Sequence, residues 1–214
     1  MMPIKVIKKK LYVTSIPPGF PLEKIYEKIS SNVRTSFAEI SIRGNRAFIE
    51  LVGTEAEIKD TWYRIRNSLQ DLWELYRLER QKEASISAIV KEAGRTFPPE
   101  SLVYALKLKG YDARLSEDKQ YIYTNAPSDI VIESARRIAE VIDEIRFQVK
   151  GSAAKRMIAA IAAGLSVGPE KVIEYGLKTR VLEETEDGLR LREEWRKGLR
   201  KIAVMLKGAE LGFE

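Results

Sequence analysis

Two aromatic residues set among cations are the part of this chain whose side chains can do chemistry. Tyr12 lies in Leu11-Tyr12-Val13-Thr14-Ser15-Ile16-Pro17, and Phe48 in Gly44-Asn45-Arg46-Ala47-Phe48-Ile49-Glu50-Leu51. Lys8, Lys9 and Lys10 precede the first stretch, and Arg43 and Arg46 sit at the start of the second. An aromatic ring offers its face to a nucleic-acid base, and ammonium or guanidinium groups beside it pair with phosphate. The chemistry in prospect is recognition and not bond-making. Tyr12 and Phe48 are the candidate stacking residues, and Thr14, Arg43, Arg46, Lys8, Lys9 and Lys10 the candidate polar contacts.

Residues able to catalyse are scarce. The 214-residue chain has no cysteine and no histidine. Disulfides, iron–sulfur clusters and thiolate zinc sites are thereby excluded. The commonest general base and transition-metal ligand is missing too. Acidic pairs such as Glu183-Glu184 and Glu193-Glu194 follow no metal-ligand spacing. Gly164-Leu165-Ser166-Val167-Gly168-Pro169-Glu170-Lys171 has the glycine spacing of a phosphate loop, but Pro169 and Glu170 replace the required Lys-Ser/Thr and no strand precedes it. The expectation is a non-enzyme with no catalytic residue, no cofactor and no metal.

The elements that must position the aromatics read as βαββα. Lys8 to Ile16 is a strand ended by Pro17-Pro18-Gly19. Leu22, Ile25, Tyr26 and Ile29 have helical spacing. Phe37 to Arg43 alternates as a half-buried strand, Gly44-Asn45 makes a tight hairpin turn, and Arg46 to Val52 returns. Thr54 and Glu57 form a capping box for a long helix whose stripe is Ile58, Trp62, Ile65, Leu69, Leu72, Trp73 and Tyr76. Period-two alternation then predicts Tyr12 and Phe48 on one open face of the sheet, with Leu11, Val13, Ala47, Ile49 and Leu51 on the face the helices cover.

This order resembles the start of an RNA recognition motif, a ferredoxin-like sandwich. The two quoted stretches are similar to that family's two conserved strands. The resemblance implies that Tyr12 and Phe48 stack RNA bases. Arg46 and Leu51 stand where the family usually has further aromatics, and no clear fourth strand follows the second helix.

Two smaller ααββα modules are expected downstream. In the middle one, helices over 85–93 and 99–109 precede a hairpin around 116–119 and a long helix from Pro127-Ser128. It resembles both a winged helix and a KH domain, but Gly94-Arg95-Thr96-Phe97 lacks the last glycine of the KH loop. The final one has helices over 153–164 and 170–180, a hairpin around Glu186-Asp187-Gly188 and a closing helix over 193–207. It resembles a winged helix, with an acidic wing that would repel phosphates. The fold class is therefore α+β: residues 1–83 ferredoxin-like, 84–150 KH-like or winged-helix-like, and 151–214 winged-helix-like.

Composition completes the reading. Charged residues make up 32% of the chain, an abundance that suits a thermophile's ion-pair-rich surface. The net charge is +6, and the cation surplus is greatest in residues 1–83, with 15 Lys/Arg against 11 Asp/Glu. Polyanionic partners are mildly favoured. No apolar run approaches the ~20 residues that span a bilayer. Met1-Met2-Pro3-Ile4-Lys5 lacks signal-peptide features, so a cytoplasmic location is expected. The module order, with Phe97-Pro98-Pro99-Glu100-Ser101-Leu102-Val103 and Arg190-Leu191-Arg192-Glu193-Glu194-Trp195, resembles an archaeal family of uncharacterised proteins. The leading expectation is an RNA-binding protein of the ribosome or RNA-processing apparatus. A DNA-binding regulator using Lys178 and Arg180, or a protein-binding scaffold acting through the C-terminal module, is the alternative.

Overall fold

The computed structural model describes residues 6–210; the Met1–Lys5 stretch read for targeting features lies outside the described residues. Helices and short sheets are mixed, as expected of an α+β chain. The chain forms two compact units, 1–77 and 78–214.

The first unit contains β1 (Lys8–Ser15), α1 (Leu22–Ser30), β2 (Phe37–Arg43), β3 (Arg46–Gly53) and most of α2 (Glu55–Gln81). Its sheet is antiparallel in the order β1-β3-β2. Ala47, Ile49 and Leu51 of β3 are fully buried against Ile25 and Ile29 of α1 and Ile58, Ile65, Leu69 and Leu72 of α2. Burial comes from two periods meeting: every second residue of β3, and the three-to-four spacing along the helices. The capping box at the start of α2 forms as the sequence predicts. The Glu57 carboxylate accepts from the Thr54 N–H at 2.8 Å, and the Glu57 N–H donates to Thr54 Oγ1 at 3.4 Å. Thr54→Ala should lower stability by about 1 kcal/mol, read from denaturant midpoints at unchanged slope.

A ferredoxin-like sandwich calls for a fourth strand, and the first sheet has none among the described residues. The next strand in sequence, β4 (Glu83–Ser85), pairs with the strand Tyr121–Thr124 of the second unit instead. The outer edge of β1 is therefore left without a neighbouring strand among the described residues.

The second unit repeats one order twice. First come β4, α3 (Ile86–Ala93), α4 (Pro99–Leu108), β5 (Ala113–Leu115), β6 (Tyr121–Thr124) and α5 (Ser128–Glu144), with the sheet ordered β4-β6-β5. Then come Val149, bridged to Leu189, α6 (Ser152–Leu165), α7 (Pro169–Lys178), β7 (Leu182–Thr185), β8 (Gly188–Leu191) and α8 (Trp195–Glu210). Both repeats carry a proline at the first position of the second helix, Pro99 and Pro169, where a missing N–H costs nothing. Each repeat thus gains a strand position ahead of its first helix, at Glu83–Ser85 and at Val149, that the sequence did not reveal. The Gly94–Phe97 loop is no phosphate clamp: Phe97 is buried in the core.

A boundary at residue 150 would run through one core. Met157 to Gly164 of the alanine-rich α6 are all buried, in the same apolar cluster as Leu102 and Leu106 of α4 and Ile138 of α5. A Cβ added at Gly164 would meet Leu108 Cβ at 2.7 Å, so α4 and α6 meet at a point only glycine permits. Glu100 of α4 adds polar ties, accepting from Lys119 at 2.9 Å and from Arg196 of α8 at 3.3 Å.

Candidate nucleic-acid interface

Register decides which side chains share the helix-free face of the first sheet. Residues directly opposite in an antiparallel pair point the same way. Tyr12 lies opposite Ile49, and Val13 opposite Phe48. Tyr12 therefore leaves on the helix-covered side, and the expectation that Tyr12 and Phe48 form one platform is corrected. The Tyr12 ring stacks on Trp62 of α2, with centroids 4.1 Å apart and an interplanar angle of 10°. The physical reason is Ile16, 2% exposed, which has the same parity as Tyr12 and is drawn into the core. The Ile16 N–H also donates to Asn45 O at 3.0 Å and holds that register at the turn end.

The eight expected contact residues divide evenly. Lys8, Lys10, Tyr12 and Thr14 belong to the helix side, by their pairing with Gly53, Leu51, Ile49 and Ala47. Lys9, Arg43, Arg46 and Phe48 belong to the open side. Across β1, β3 and β2 that open face reads in four rows. They are Ser15, Arg46 and Arg43; Val13, Phe48 and Ser41; Leu11, Glu50 and Glu39; and Lys9, Val52 and Phe37. Sequence reasoning missed Leu11, Val13 and Phe37, each about half exposed on this face at 56%, 48% and 53%. The alternation of β2 against Ala38, Ile40 and Ile42 is the signal that finds Phe37, whereas for Leu11 and Val13 the sequence offers an equally apolar rival set in Tyr12 and Ile16.

The charges on the two sides behave differently. Lys8 donates to Glu55 at 2.8 Å, and with Lys59 it holds the Glu55 carboxyl down to about 2. Lys9 pairs with Glu50 at 2.6 Å, and that carboxylate raises the Lys9 ammonium above its ordinary value. Lys10 Nζ sits 5.0 Å from the Tyr12 ring centre. Arg43 and Arg46 lie directly opposite each other at the hairpin end, with no carboxylate partner among the described residues. The Arg43 guanidinium is 5.6 Å from the centre of the half-buried Phe48 ring, within cation–π range. The face therefore offers the Phe48 ring beside two unneutralised guanidinium groups, with the Phe37 ring at its far end. Its third row places Glu39 opposite Glu50, a repulsion that the Lys9 ion pair relieves in part.

The end of α7 and the β7–β8 hairpin of the C-terminal repeat are less suited to phosphate. Lys178 is paired with Glu174 at 2.6 Å, and the β7–β8 hairpin carries Glu183, Glu184, Glu186 and Asp187. Among the described residues no group of His, Cys, Asp or Glu is placed to hold a metal ion. No described helix is long and apolar enough to cross a membrane.

Fold and surface together define an α+β protein of two units whose first sheet keeps one face clear of its own helices. The chain belongs to an archaeal family described as an uncharacterized protein conserved in archaea (DUF2067), which matches residues 15–200. No curated protein and no solved structure matches it.

Proposed function

We propose that the first unit binds single-stranded RNA on the helix-free face of its sheet, as a non-catalytic component of the translation or RNA-processing apparatus. The observation that carries this reading is Phe48, half-buried at the centre of that face with Arg43 over its ring and Arg46 alongside. One base stacks on Phe48, and the two guanidinium groups pair with the phosphates on either side of it. Glu50 and Glu39 face the same ligand as acceptors for base amino groups. The exposed Leu11 and Val13 cover the sugar of the next nucleotide.

The test is binding of a fluorescent oligoribonucleotide to the full chain across a salt series. Phe48→Ala should weaken binding about 10-fold or more, the usual loss when one stacking ring is removed. Arg43→Ala and Arg46→Ala should each reduce the salt slope of log K by about 0.7. Affinity unchanged in a folded Phe48→Ala protein refutes the reading. Loss of a protein partner with RNA binding intact would favour the scaffold alternative. The DNA-binding alternative draws less support, because its leading cation is already paired with Glu174.

A further inference from the structure

A second cleft, of about 410 Å³, lies within the second unit, and the first-unit reading does not use it. Its walls are α5, the C-terminal end of α4, and the loop from α6 to α7. Three features meet there. The first is cationic: Lys109 at the end of α4, with Arg136 and Arg137 one turn beyond Glu133 on α5. The second is the start of α7, a ten-residue helix whose Gly168 cap supplies no side-chain hydrogen bond to its first turn. Pro169 offers no N–H there, and the Glu170 carboxylate lies against Gly168, so the helix dipole and the N–H groups of Glu170 and Lys171 favour an anion only where it displaces that carboxylate. The third is Ser134. It is 2% exposed and lines the cleft, while its hydroxyl oxygen, itself closed to solvent, has no hydrogen-bond partner among the described residues. A buried hydroxyl without a partner is uncommon, and a ligand oxygen or a bridging water is what would satisfy it.

We infer that this cleft binds a phosphate monoester. Lys109 already donates to the Ser166 hydroxyl at 3.4 Å, which brings an ammonium and a hydroxyl together beside Gly168. Arg136 reaches the Glu92 carbonyl at 3.4 Å, and its remaining N–H groups are donors for the same anion. Arg137 is different, being held by Glu144 at 2.8 Å and Glu140 at 3.6 Å; it shapes the wall. Glu133 and Glu140 would repel a second phosphate but accept from hydroxyl groups. The cleft is larger than a bare phosphate and falls in the range of small-molecule sites. A sugar phosphate uses both halves: the anion at Lys109, Ser166 and Gly168, and the hydroxyls at the two glutamates. The glycine-spaced loop that fails as a nucleotide-triphosphate motif thus still contributes Ser166 and Gly168 to an anion site.

The experiment is a thermal-shift and calorimetric titration of the full chain at fixed ionic strength. The probes are inorganic phosphate, ribose 5-phosphate and ribose, with chloride as the balancing anion. Phosphate and ribose 5-phosphate should each raise Tm, and ribose should not. Lys109→Ala should weaken binding about 10-fold, the size expected for a lost charge-assisted hydrogen bond. Ser134→Ala should weaken it several-fold while leaving the ligand-free Tm unchanged or higher, since it deletes an unpartnered buried hydroxyl. Tighter binding of the ester than of the free ion supports an ester as occupant, and equal or weaker binding of the ester overturns that assignment in favour of free phosphate. No shift beyond chloride, or a shift kept in both variants, overturns the inference as a whole.

Discussion

Trp62→Ala should lower the stability of the first unit by about 3 kcal/mol and its melting temperature by about 12 °C or more. The indole supports the Tyr12 ring across a 4.1 Å stack, and both rings pack against the core that contains Ile49 and Ile58. Deleting it removes the apolar area of a large side chain and the aromatic pair term, about 0.5–1.5 kcal/mol by itself. Hydrogen exchange at the Ile49 amide, compared with that at Ile138 of α5, separates the first unit's loss from any change in the second. Tyr12→Leu should cost much less than Trp62→Ala, because an apolar cover over the indole remains. A loss below about 1 kcal/mol in Trp62→Ala would mean that Tyr12 does not rest on α2. The two-ring platform expected from the sequence would then return.

The second large effect lies at the crossing of α4 and α6. A Cβ at Gly164 would approach Leu108 Cβ at 2.7 Å and the Ala105 carbonyl oxygen at 3.0 Å. The carbonyl belongs to a helix backbone and has no rotamer by which to yield. Gly164→Val should therefore push the helices apart and cost about 3 kcal/mol, at the upper end of overpacking effects. A gain in helix propensity of under about 1 kcal/mol offsets it only in part. Gly208 of α8 is the control, because a Cβ there meets nothing within 4 Å. Gly208→Ala should leave stability unchanged or slightly higher. Equal urea midpoints for the two variants would show that α4 and α6 do not touch at this point.

Much of the fold is legible in the residues alone. β2 begins at Phe37 and ends at Arg43 as its alternation indicates, and Thr54 and Glu57 cap where their types predict. The facing of β1 is not legible in the same way. Either parity of that strand offers an apolar set: Leu11 and Val13, or Tyr12 and Ile16. Alternation alone cannot choose between them. The choice is made by pairing with β3, which depends on contacts more than thirty residues away in sequence. The strand positions at Glu83–Ser85 and Val149 are too short to show any period, and only their partners Tyr123, Ile122 and Leu189 define them. Ser134 is equally silent, since a serine within an amphipathic helix reads as a surface position until its burial is seen.

The free margin of β1 has a consequence for how the protein behaves in crowded solution. Because the Ile16 N–H turns toward Asn45, alternation sends the backbone groups of Lys9, Leu11 and Val13 outward, as a row of donors and acceptors that no strand among the described residues fills. Such a row invites another chain to zip onto it, and the neighbouring Leu11 and Val13 side chains would reward the contact. Lys8, Lys9 and Lys10 stand at one end of that row, and two copies brought edge to edge would have to crowd their ammonium groups against incoming backbone. A run of lysines at a strand edge disfavours such pairing on general grounds, whether or not a phosphate ever touches it.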